Sequence, residues 1–261
     1  MKRSLSVLAV LIAVAAAGGY WYVHSKQPQR DGELSLRGLQ APVNVRYDER
    51  GVPHIQAQSE TDLYRALGYV HAQDRLFQME IMRRLARGEL AEVLGSKLVA
   101  TDTLFRSLRI REQAARMVQH QDRQGPAWQG LQAYLDGVNQ WPASHPKPVE
   151  FDLLGITPRP FGAEDTLSIA GYLAYSFAAA FRTEPALTYI RDQLSADYLN
   201  IFDLAWQPEG ALAPRLAAAD WRSLEQLASA SQDALAAAGL PQFEGSNAWA
   251  VSASRTRSGR P

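Results

Sequence analysis

Few side chains in this 261-residue sequence stand where their type and spacing could do chemistry unaided. His71 and Asp74 are three apart, close enough on a helix to share an ion, but a metal needs more than two ligands. The pair therefore reads as structural hydrogen bonding. Tyr69, Asp74, Arg75 and Glu80 crowd the same stretch and read as a buried polar network, satisfied internally. Cys is absent, which excludes disulfides, thiolate nucleophiles and Cys-ligated metals. There is no Ser-His-Asp triad signature. The remaining candidate is Ser246, directly after Gly245. An isolated hydroxyl is a weak nucleophile and needs a base. Were the Gly245–Ser246 bond cut, the freed α-amine would be that base, because its reference pKa of about 7.7–8.0 leaves much of it neutral at physiological pH. Gly245, lacking Cβ, permits the backbone that brings the Ser246 hydroxyl to the preceding carbonyl carbon. Taken alone, Gly-Ser is an ordinary turn.

Composition bounds what could position these groups. Hydrophobic residues at 46% and charged residues at 21% are ordinary for a globular chain and exclude wholesale disorder. Lys+Arg and Asp+Glu both number 27, so no net field recruits nucleic acid or an acidic partner. Met1-Lys2-Arg3, the apolar run Leu5 to Ala17 and the small residues Ala15 to Gly19 form an export leader. Apolar character continues through Tyr20-Trp21-Tyr22-Val23, roughly 19 residues in all, near bilayer-spanning length with interfacial aromatics. Export is expected; removal after Ala17 and retention as a membrane anchor both stay open. A retained leader keeps Lys2 and Arg3 cytoplasmic and puts everything after Lys26 outside the inner membrane.

Residues 26–32 are polar and turn-rich, a tether. From Glu33 the pattern turns to strand, with Leu34, Leu36 and Leu39 leading to Pro42 and then Val43, Val45 and Tyr47 alternating with polar residues. Asp48 to Gly51 is a turn and Val52 to Ala57 a second strand, a β-hairpin. Ser59 caps a helix with Glu60 and Asp62 in its first turn and helical periodicity up to Gly88. Further helices are predicted at Thr101–Gln121, Pro126–Trp141, Glu164–Phe181 and Pro185–Leu204, with a proline-rich loop at Pro142–Pro160. Ala211 to Gly239 is Ala-rich and reads as a spacer, after which Asn247 to Ala253 resumes strand character.

Three blocks, in order, resemble the penicillin acylase family of N-terminal-nucleophile hydrolases, which includes acyl-homoserine-lactone acylases. They are Val45-Arg46-Tyr47-Asp48-Glu49-Arg50-Gly51-Val52-Pro53-His54-Ile55, then Ala66 to Glu80 with Arg87-Gly88-Glu89-Leu90-Ala91-Glu92, and finally Glu244-Gly245-Ser246-Asn247-Ala248-Trp249. The resemblance implies an α+β fold: an α-rich N-terminal subunit region followed by the first strand of an αββα core. It implies a leader at 1–26, a small-subunit region at 27–210, a spacer at 211–245 and the start of the catalytic large subunit at 246–261. It makes Gly245–Ser246 the self-cleaved junction and Ser246 the nucleophile that attacks a linear amide of a penicillin-like or acyl-homoserine-lactone-like small molecule. Those two substrate classes stay open. It assigns Glu184 to one structural calcium, Tyr175 and Phe177 to the acyl pocket, and no organic cofactor. Processing would leave a heterodimer with the rest of the large subunit. The family's oxyanion donors fall beyond the position matching Pro261, so the 261-residue chain alone is expected to be inactive and poorly soluble. The contending reading, from another class, is a membrane-tethered helical scaffold without catalysis.

Overall fold

The computed structural model describes residues 2–177, together with 189–190, 193–194, 229 and 252–255; side chains are described from residue 10 onward, Ala253 excepted. The elements in order are α1 (Lys2–His24), β1 (Asn44–Tyr47), β2 (Pro53–Gln56), α2 (Glu60–Arg87), α3 (Ala91–Leu94), α4 (Val99–Ser107), α5 (Ile110–Gln119), α6 (Pro126–Ser144), α7 (Val149–Leu153) and α8 (Ala163–Phe177). Helices with one two-stranded sheet agree with the α+β expectation; the αββα core lies outside the described residues.

The hairpin forms where alternation and turn chemistry place it. β1 and β2 pair antiparallel with Val45 opposite Ile55, and the Asp48 carboxylate accepts the Arg50 and Val52 N–H groups at 2.9 Å each. Those bonds hold the Asp48 carboxyl below its ordinary range, the Val52 N–H foremost. The strand expected from Glu33 to Leu39 does not form. Its backbone is satisfied by side chains instead: Gln140 accepts from the Arg37 N–H at 2.9 Å and donates to the Arg37 carbonyl at 3.1 Å. Asp62, fully buried, takes the Gln40 and Ala41 N–H groups at 3.0 and 3.3 Å.

α2 starts and stops on its local signals. The Ser59 hydroxyl accepts from the Asp62 N–H at 3.1 Å, and Gly88 closes the helix at φ 66°. A Cβ on Gly88 would meet the Asp102 carbonyl at 2.6 Å, so glycine is required there on two counts. α2 kinks at Arg75 (φ −138°, ψ 17°). Before the kink it crosses α6 so closely that a Cβ on Gly68 would lie 2.0 Å from the Tyr134 carbonyl, and one on Gly137 1.9 Å from that of Arg65. Tyr69, Ala72, Leu76, Leu135, Val138 and Trp141 form the core at this crossing, and Ile81, Leu85, Phe105 and Tyr172 belong to a second core beyond the kink.

Two sequence expectations for this body are corrected. The helix expected over Thr101–Gln121 breaks at Leu108–Arg109, where Arg109 takes φ 55°. The break turns α5 onto α8, where Gly171 admits Ile110; a Cβ there would be 2.7 Å from the Ile110 Cγ2. Of the loop expected over Pro142–Pro160, Pro142 belongs to the last turn of α6, and residues 149–153 are helical so that Phe151 can be fully buried.

α1 carries exposed Val10, Leu11, Ile12, Tyr20 and Trp21, and its foot is tied down. Lys26 donates to Asp152 at 2.6 Å and to the Lys147 carbonyl at 2.9 Å, and the Tyr22 hydroxyl also donates to Asp152. Among the described residues no helix is long and apolar enough to cross a membrane, and the first part of the expected Leu5–Val23 span lies outside the residues whose side chains are described. The strand expected over Asn247–Ala253 lies outside the described residues up to 251; Ala253 opens a short 3-10 turn, Ala253–Arg255, instead of closing a strand.

Candidate functional site

Gly245, Ser246 and Glu184 lie outside the described residues. Tyr175 and Phe177 are described, and the structure separates them. Tyr175 is half-buried with its ring edge-on to Phe105 at 5.4 Å, whereas Phe177 is 77% exposed. Both belong to α8, so the ties of α8 to the body are the ties that position them.

The start of α8 is held by ions. Asp165 takes Arg87 at 3.1 Å and Arg83 at 3.6 Å, and its carboxylate also accepts the Gly162 N–H at 2.9 Å. Arg83, fully buried, donates to the carbonyls of Arg159 and Pro160 at 3.2 and 3.1 Å and stacks 4.1 Å from the Phe161 ring. Glu80, 1% exposed, is paired with both Arg83 and Arg84. Burial pushes the Arg83 guanidinium below its ordinary value despite Glu80 and Asp165. Glu89 is the converse case: burial would raise it, but hydrogen bonds from Arg159 at 2.8 Å and Arg87 at 3.0 Å hold it below the ordinary range. All these side chains find ion-pair partners within the protein, which suits fixing α8.

The network expected from Tyr69, Asp74, Arg75 and Glu80 is therefore redistributed. Glu80 joins the arginines, Asp74 faces Arg30 at 3.6 Å, and the Tyr69 hydroxyl meets His145 at 3.5 Å. The signal for the true cluster was present as Arg83 and Arg84, three and four residues after Glu80 on one helix face. His71 and Asp74 do not converge on a metal. The His71 Nδ1 is 2.6 Å from the Tyr134 hydroxyl, and burial lowers the imidazole while lifting the tyrosine to about 12. Which of the two donates depends on the tautomer of the ring. No three His, Asp or Glu among the described residues could hold a metal. Glu184 alone supplies too few of the roughly six to eight oxygens calcium takes.

The family model for penicillin amidase matches residues 42–261, from the hairpin through the Gly245–Ser246 string. The chain belongs to the penicillin amidase family. It is 38% identical over 246 residues to penicillin acylase 2 proenzyme of Pseudomonas sp. (strain SE83), an alignment covering 90% of this chain and 31% of that protein. It is 30% identical over 254 residues to the acyl-homoserine lactone acylase QuiP of Pseudomonas fluorescens (strain Pf0-1), covering 92% of this chain and 30% of that one. Among solved structures it is similar to a thermostable penicillin G acylase from Alcaligenes faecalis, with 26% identity, a TM-score of 0.49, and coverage of 68% of this chain and 97% of the other. The chain thus spans under a third of the length of the curated relatives it matches. Within this penicillin amidase chain the matched segment takes in the hairpin, the ionic cluster and α8.

Proposed function

We propose that this chain is the N-terminal part of an exported, self-processing acylase that hydrolyses linear amides through Ser246. The observation that carries the reading is the family match over residues 42–261, whose range takes in Gly245-Ser246-Asn247-Ala248-Trp249. In maturation, the Ser246 Oγ attacks the Gly245 carbonyl carbon, the C–N bond breaks to leave an ester on Oγ and a free Ser246 α-amine, and water cleaves the ester to the Gly245 carboxylate and the Ser246 hydroxyl. In turnover that amine takes the proton of its own hydroxyl, which attacks the substrate amide. The substrate amine departs with the proton, and water then releases the acid. The relatives' names supply two substrate classes, penicillins and acyl-homoserine lactones. Tyr175 and Phe177, on α8, belong to the acyl-binding side of the site, with Phe177 the one exposed to a ligand. The processed partner is the remainder of the large subunit.

Expression of the whole gene tests this. N-terminal sequencing of the larger product should read Ser-Asn-Ala-Trp, and Ser246→Ala should leave an uncut precursor. Efficient cleavage of that variant at the same bond would sink the intramolecular mechanism.

A further inference from the structure

α8 is seated at two points of different character. The ion pairs at Asp165 fix its start against α2. Twelve Å or so further along the axis (seven to ten residues at about 1.5 Å each), the contact is aromatic. Phe105 of α4, 2% exposed, lies 5.7 Å from the Tyr172 ring and 5.4 Å from that of Tyr175, at interplanar angles of 52° and 77°. Tyr172 and Tyr175 are one turn apart, so the Phe105 ring fills the notch between them and opposes any roll of the helix about its axis. Phe177 stands about 200° round the helix from Tyr175 and is 77% exposed. Leu173, one turn before it on the same face, is 47% exposed. A roll about the axis moves that open face most, because it is farthest from the notch.

We propose that Phe105 is a positioning residue for acyl selectivity: by holding Tyr172 and Tyr175 it sets where the Leu173–Phe177 face of α8 stands, without touching the substrate. The proposal rests on the reading of α8 as part of the acyl-binding side. It assigns Tyr175 to the core contact and Phe177 to the ligand.

The test uses the mature enzyme from the whole gene, as wild type, Phe105→Leu and the more volume-conserving Phe105→Met. The substrates are phenylacetyl amides and acyl-homoserine lactones with short and long acyl chains. Phe105→Leu should change the ratio of KM for long to short acyl chains by roughly three- to tenfold, the loss of a ring pair expressed as affinity. Self-cleavage and kcat should be unchanged, and Phe105→Met should fall between. Phe105→Leu combined with Tyr175→Leu should shift the ratio no further than the larger single effect, since both act through one contact. An unchanged ratio in active variants, or an equal fall in kcat for every substrate, overturns the proposal alone. No turnover of any amide by the wild type overturns the functional reading and takes the proposal with it.

Discussion

The two halves of α2 are held to their neighbours by different balances of packing and charge. Before the kink at Arg75, Gly68 and Gly137 let α2 and α6 approach backbone to backbone, and the seam is closed by Tyr69, Ala72 and Val138. Beyond it, Glu80, Arg83 and Arg87 reach α8 and its preceding loop through buried ion pairs and carbonyl contacts. Close packing of this kind stabilises by dispersion and burial and is insensitive to pH. A buried ionic cluster adds little net stability over an apolar equivalent, yet removing one member leaves charge without compensation. The first half thus supplies firmness, and the second supplies directional attachment to the helix that carries Phe177.

The largest expected effect breaks the second half. Glu80→Ala removes the buried carboxylate paired with both Arg83 and Arg84 and should cost about 3–5 kcal/mol in urea unfolding. A loss below about 1 kcal/mol would mean those arginines find other partners. Next comes the first half: Gly137→Ala drives a Cβ into the Arg65 carbonyl and should cost about 1–3 kcal/mol. Adding Gly68→Ala should cost less than the sum of the two, because both spread the same pair of helices. Strict additivity would show that the two glycines act on separate contacts.

Acid should sharpen the contrast. The folded Glu89 carboxyl is held below its ordinary 4.5, so its contribution is fully present above that value and is lost as pH falls through the lower folded one. Hydrogen exchange at descending pH should therefore loosen residues 80–89 before residues 66–72; the reverse order would contradict the division drawn here. The smallest effect is local. Ser59→Ala removes the cap of α2 and should cost about 1 kcal/mol. Thermal unfolding would register it, and an unchanged midpoint would mean Glu60 and Asp62 suffice for the first turn.

Short-range chemistry was legible directly. The hairpin, the Ser59 cap and the Gly88 stop each depend on residues within a few positions, and all three stand where the pattern puts them. The family, too, was legible, because its three blocks are contiguous words in the chain. What only the tertiary structure decided involves partners far apart along the chain. Gln140 replaces a strand neighbour for Arg37, 103 residues away, so the apolar alternation at Leu34–Leu39 could not disclose that no strand forms. Arg109 breaks a helix its own propensity would continue, because α5 must turn onto α8. Tyr175 and Phe177 look alike in a stripe of aromatics. Only the position of Phe105, brought in by another helix, makes one of them core and leaves the other exposed.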